Sequence, residues 1–169
     1  MKCWNCKTDL HPSAKFCHKC GMKVDLPFNL GYWTDFVNYA FELSGNWEFQ
    51  SANFSKGEPA DLNWHALRFK GGKGHIEISF NTKKKTLRAG LFILNNPQLY
   101  KKLESQRLYV EMLFAGMDVD IQWDGVSKAA NFSVFKTNED VKTGSRVAQA
   151  EWFMKCACLL RKISINVFD

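Results

Sequence analysis

The chain has no apolar run approaching the 18 or so residues that span a bilayer, so a helical membrane anchor is excluded. A secretory leader has no room ahead of Cys3, and cysteine pairs without a leader point to a reducing compartment, so the expectation is a soluble, cytoplasmic protein that does not meet a membrane. There is no internal repeat and no low-complexity segment. No phosphate loop is present either. Gly71-Gly72-Lys73-Gly74 superficially resembles one, but its lysine is not followed by Ser or Thr opening a helix, and a strand pattern comes next. Histidine is scarce, and none of the 4 has a nucleophile evidently waiting for it. His11 and His18 sit in or beside cysteine knuckles. His65 and His75 fall on adjacent predicted strands, where they read as polar-face residues able to approach one another. A metal-dependent nuclease centre would place Glu-x-Lys on a strand beside another acid, whereas Glu77-Ile78-Ser79 carries serine where the lysine is needed.

What the chain does have is cysteine in an organised pattern. Cys3-Trp4-Asn5-Cys6 and Cys17-His18-Lys19-Cys20 are separated by 10 residues. Each Cys-x-x-Cys knuckle folds two thiolates onto one side of a metal, and the spacer returns the chain to the other side. Cys3, Cys6, Cys17 and Cys20 are therefore the expected ligands of one tetrahedral Zn2+. Four thiolates close the site, so the metal is expected to support folding and not chemistry. A redox pair of the thioredoxin type is disfavoured because no strand of a βαβ unit precedes Cys3. Cys156 and Cys158 lie two apart in an apolar helical run, about 200° apart around the axis, and read as inert buried thiols.

Length and charge bound the remainder. The 169 residues accommodate a ribbon at 1–24, a connector at 25–29 containing Pro27, and one further domain at 30–169. With 14 Phe and 6 Trp, that domain has ample apolar area for its own core. The formal charge is +6 with thiols neutral, and a four-thiolate zinc site lowers it to about +4. This mild basic bias permits nucleic acid without demanding it.

Periodicity predicts a helix over Leu30 to Ser44, with Trp33, Phe36, Val37, Ala40 and Phe41 on its apolar face. Residues 46–60 show no clear period and allow a short strand or helical turn. Strands follow over Leu62 to Lys70, His75 to Thr82 and Thr86 to Leu94, the second alternating Ile76, Ile78 and Phe80 against His75, Glu77 and Ser79. Short connections make these an antiparallel meander. Asn95-Asn96-Pro97 opens a helix that runs to Gly116, marked by Leu99, Leu103, Leu108 and Met112. Two strands, Val119 to Trp123 and Ala130 to Lys136, and a core helix over Ser145 to Ile165 complete the order α-βββ-α-ββ-α. The fold class is α+β: a small zinc ribbon plus an antiparallel sheet with helices on one face.

Asp118, Asp120 and Asp124 share one side of a strand and could hold Mg2+, but solvated acids that deter edge pairing are the simpler reading. Lys70, Lys73, Lys83, Lys84, Lys85 and Arg88 cluster at the ends of one meander, as phosphate contacts require and as solvated loops also do. Lys7, Lys15, Phe16 and Lys19 of the ribbon interleave with Trp4, either as a strand-tracking surface or with Trp4 and Phe16 as a miniature core.

Tyr32-Trp33-Thr34-Asp35-Phe36, Asn63-Trp64-His65-Ala66-Leu67, the strand from His75 to Lys85, and Arg88-Ala89-Gly90-Leu91-Phe92-Ile93 resemble a bacterial domain of unknown function. That domain often stands C-terminal to PD-(D/E)XK nuclease-like modules in restriction or defence proteins. The resemblance covers about residues 30–165 and rests on fold-bearing residues, so it carries no site residue across. It implies DNA or RNA transactions, while the replacement of the nuclease-like module by a ribbon speaks against cleavage. The resulting expectation is a non-catalytic zinc-ribbon protein contacting DNA, RNA or a nucleic-acid-processing complex. The alternative is a protein adapter that docks or self-associates through its final helix. A metal-dependent nuclease is least favoured.

Overall fold

The computed structural model describes residues 3, 6–11, 14–21, 28–43, 54–55, 62–69, 75–125 and 129–168. Expectations that rest on Trp4, Pro27, Lys70, Lys73 or the 71–74 turn lie outside the described residues. The elements are α1 (Phe28–Leu43), β1 (Phe54–Ser55), β2 (Trp64–Phe69), β3 (His75–Asn81), β4 (Thr86–Leu94), α2 (Pro97–Glu104), α3 (Arg107–Leu113), β5 (Asp120–Asp124), β6 (Ala129–Lys136) and α4 (Arg146–Phe168). All strands pair antiparallel in the order β1-β2-β3-β4-β6-β5. The α+β class is observed, and the predicted element order matches broadly, with the short β1 added and the middle helix divided in two.

Alternation along the strands sorts the sheet into two faces. On the covered face, Leu67, Ile76, Leu91, Phe132 and Trp123 stand in one row across five strands. α1 and α4 pack over it, delivering Tyr32, Trp33, Phe36 and Ala40 from one and Ala150, Phe153, Cys156, Ala157, Leu160 and Ile163 from the other. On the open face, Trp64, Ser79, Arg88, Phe135 and Asp120 form the corresponding row.

Two tight connections are specified by local chemistry. Asn81 Oδ1 accepts from the backbone N–H of Lys83 at 3.0 Å and of Lys84 at 2.9 Å, and Lys85 takes a left-handed φ of 52°, so the lysine turn is held by its own asparagine. Asn96 Oδ1 accepts from Leu99 N at 3.1 Å, with Pro97 in the first helical turn, which fixes the start of α2.

The single helix expected from Pro97 to Gly116 is instead two. Ser105 Oγ donates to Lys102 O at 2.8 Å, and the Gln106 N–H reaches back only to Leu103 O at 3.1 Å, a tight turn that ends α2. Leu103, Val110 and Phe114 remain buried, but Leu108 is 75% and Met112 64% exposed, so these two do not mark the core side as expected. His65 also departs from expectation. It pairs with Ile78, on the covered face, and is buried against the Trp33 ring at 5.6 Å, whereas His75 stacks on Phe92 at 5.3 Å on the open face. The two histidines occupy opposite faces of the sheet because an odd register offset separates them.

Candidate metal centre

The N-terminal segment buries Cys3, Leu10 and Cys17, with Cys6 and Ala14 against them, as a cluster separate from that of the sheet and helices. Its backbone is folded by the knuckles themselves. Cys3 N donates to Thr8 O at 2.8 Å, and Lys7 N donates to Cys3 O at 2.9 Å with Lys7 at φ 58°. In the second knuckle Gly21 N donates to Cys17 O at 2.9 Å, and Gly21 takes a φ of 70° that side chains rarely adopt.

These turns bring the Sγ atoms of Cys3, Cys6, Cys17 and Cys20 within 4.8 Å of one another. Cys3 Sγ lies 3.6 Å from Cys20 Sγ, and Cys6 Sγ lies 3.5 Å from Cys17 Sγ. A disulfide is excluded at such separations, since bonded sulfurs lie about 2 Å apart. A tetrahedron of sulfurs about 2.3 Å from a central zinc has edges of about 3.8 Å, so the observed spacing fits that ion closely. The four thiols do not share one environment. The Thr8 hydroxyl, 3.2 Å from Cys6 Sγ, draws the Cys6 thiol down to about 6, while burial pushes Cys17 up to about 11. A divalent cation among them would favour the thiolate at every position. His11 and His18 are exposed beside the cluster and are not among the four grouped ligand atoms.

Around this centre Lys7, Lys15, Phe16, His18 and Lys19 are all exposed, Phe16 by 61%. Phe16 is therefore no part of a miniature core, the reading weighed for it above. Among the described residues, the buried interior of the segment is Cys3, Leu10 and Cys17.

Of the basic set predicted around the meander, Lys70 and Lys73 lie outside the described residues, and two of the other four are paired with acids. Lys85 meets Asp140 at 3.6 Å, and Arg88 meets Glu77 at 3.6 Å. Arg88 Nε also donates to Ser133 Oγ at 3.1 Å and Arg88 Nη2 to Asn131 Oδ1 at 3.0 Å, while its guanidinium lies over the Phe92 and Phe135 rings. Gly90 makes room for this network, because a Cβ there would fall 2.6 Å from Ser133 Oγ. Arg88 is thus held on the open face by its own partners. Lys83 and Lys84 have no ion pair among the described residues.

Burial raises the Glu77 carboxyl above its ordinary value, an effect that Arg88 partly opposes. The folded state therefore holds the Glu77 proton more tightly than the unfolded chain does, and this group's contribution to stability falls as pH rises through the carboxylate range. Glu77→Gln mimics the protonated form. Its stability relative to wild type should improve as pH rises from about 4 to about 7. Urea unfolding of both proteins across that range would read the difference, and a constant difference would contradict the sign.

Asp118, Asp120 and Asp124 are exposed, as the edge reading of these acids expects. Among the described residues, the four cysteines are the single group of His, Cys, Asp or Glu placed closely enough to hold a metal, so these aspartates do not gather as a Mg2+ site. Cys156 is buried and Cys158 half-buried, and neither forms a disulfide. Among the described residues no helix is long and apolar enough to cross a membrane.

No family model matches the chain, and no curated protein matches it. Among solved structures it is similar to a chain of the crystal structure of the ExsC-ExsE complex, with a TM-score of 0.40 and 11% identity, covering 78% of this chain and 90% of that one. A likeness that distant carries no argument about function.

Proposed function

We propose that this chain is a zinc-ribbon protein without catalytic activity of its own, whose α+β domain docks a protein partner. Zinc is the favoured ion because four thiolates at these separations match its size and softness and leave no position open for water. What favours a protein partner over a polyanion is that five of the domain's cations are engaged by its own acids while an apolar pair stays exposed. Lys85, Arg88, Arg107, Lys136 and Arg146 are each paired with a carboxylate. Leu108 and Met112, meanwhile, stay uncovered one turn apart on α3.

A second reading, contact with DNA or RNA, is favoured by the ribbon, where Lys7, Lys15, Phe16 and Lys19 are exposed together near the turn of the chain. The resemblance to nuclease-associated domains of restriction and defence proteins belongs to this reading. Filter binding of short DNA and RNA at two salt concentrations separates the two. The docking reading expects no detectable affinity at low salt. Affinity that is strong at low salt, collapses as salt rises, and is lost when Lys15 and Lys19 are replaced by alanine would establish the second reading instead.

A further inference from the structure

β5 ends the sheet. Among the described residues it pairs with β6 alone, so every second backbone N–H and C=O along Asp120–Asp124 faces outward with no described strand beside it. The opposite end of the sheet is closed by β1, which spans only Phe54–Ser55. β5 is therefore the longer of the two edges, and its exposure alternates strictly.

Its wet face is acidic. Asp35, Glu77, Glu111, Glu139 and Asp140 each pair with an arginine or lysine. Asp118 and Asp120, like Glu104 and Glu151, have no ion pair among the described residues, and Asp120 and Asp124 stand on one side of the edge strand with Asp118 exposed just before it. Grooves flank the strand on both sides. The one on the open face has a volume of about 640 Å³ and is lined by Asp120, Gln122 and Asp124 together with Phe135 and, at its far side, Lys84 and Arg88. The other, of about 450 Å³, is lined by Tyr100, Glu104, Arg107 and Gly125, and Trp123 borders both. An added strand sends alternate side chains to opposite faces, so each groove would receive every second residue of such a strand.

From this we infer that β5 is a docking edge for an extended segment of a protein partner that carries Lys or Arg at alternate positions, with apolar residues between them. The basic side chains lie over Asp118, Asp120 and Asp124, and the apolar ones lie against Trp123 and Tyr100 on the other side. A second copy of this chain is disfavoured as occupant, because β5 against β5 sets aspartates beside aspartates. Nucleic acid is disfavoured for the same reason of charge. The inference rests on the protein-docking reading and makes it specific.

The test uses the full zinc-loaded chain with two labelled synthetic peptides, one alternating lysine with valine and one alternating glutamate with valine. Fluorescence anisotropy should show binding of the lysine peptide, weakened by salt, with the glutamate peptide at least tenfold weaker. Amide hydrogen exchange should slow in Asp120–Asp124 when the lysine peptide is bound. Combining Asp120→Asn with Asp124→Asn should cost roughly tenfold in affinity without changing the melt. If the lysine peptide binds but protection appears elsewhere, or the double variant binds as well as wild type, the edge inference is overturned while the docking reading stands. Failure of both peptides to bind at low salt overturns the edge inference as well. The docking reading itself falls only if the nucleic-acid assay is positive.

Discussion

Cys17→Ser is expected to abolish stoichiometric zinc binding and to expose residues 1–24 to protease, while the sheet and helices keep a cooperative melt of their own. Among the described residues the buried interior of the ribbon is Cys3, Leu10 and Cys17, and two of these three are expected ligands. Ordering some 20 residues costs about 1–2 kcal/mol each, which that little apolar burial cannot offset. Metal coordination must supply the difference, and removing one of four thiolates withdraws it. Among the described residues the remaining core, from Tyr32 to Val167, shares no buried residue with this cluster. Limited proteolysis with zinc analysis reads both halves of the expectation. Zinc retained at one per chain would overturn the ligand assignment, and unfolding of the whole chain would show that the ribbon is packed into the larger core.

The largest effect on the α+β domain itself is expected from Trp33→Ala, at about 3–5 kcal/mol of lost stability. Trp33 is fully buried at the junction of α1, β2, β3 and α4, with Phe36 edge-on at 5.8 Å, His65 stacked at 5.6 Å, and Phe80 and Phe153 tilted at 5.4 and 5.9 Å. Its indole Nε1 donates to Leu62 O at 2.7 Å. Truncation therefore opens a cavity among rings that are themselves fixed by neighbours, and it strips Leu62 of its donor. The melting temperature should fall by roughly 10–20 °C. Trp33→Phe, which keeps most of the ring volume, should lose much less. Zinc content should be unchanged in both variants, and an equal loss in both would contradict the cavity argument.

How far these features were legible in the sequence depended on whether their cause was local. The cysteine spacing was enough to name Cys3, Cys6, Cys17 and Cys20, because a knuckle is a turn of four residues and its geometry needs nothing from elsewhere. Ile76, Ile78 and Phe80 were legible for a similar reason: alternation is set by the backbone, and the structure buries all three. The break at Ser105–Gln106 was not, since it depends on a serine choosing a backbone carbonyl over solvent inside an otherwise helical pattern. His65 was misread because its burial depends on Trp33 and Phe36, which arrive from a helix about 30 residues away. The partners of Lys85 and Arg88 were hidden in the same way. Charge density along the chain is visible in a sequence, but Asp140 beside Lys85 and Glu77 beside Arg88 are tertiary pairings. β5 could be read as a strand whose solvated acids suit an edge, yet the insertion of β6 between it and β4 is a crossover that no local pattern announces.

The most direct test of the account is X-ray absorption at the zinc edge on the full chain purified without added metal. The account predicts one zinc per chain with four sulfur neighbours at about 2.3 Å and no nitrogen or oxygen in the first shell. A first shell containing imidazole nitrogen would bring His11 or His18 into the ligand set and contradict a centre built from Cys3, Cys6, Cys17 and Cys20. A purified chain that holds no zinc and takes up none would contradict the centre altogether.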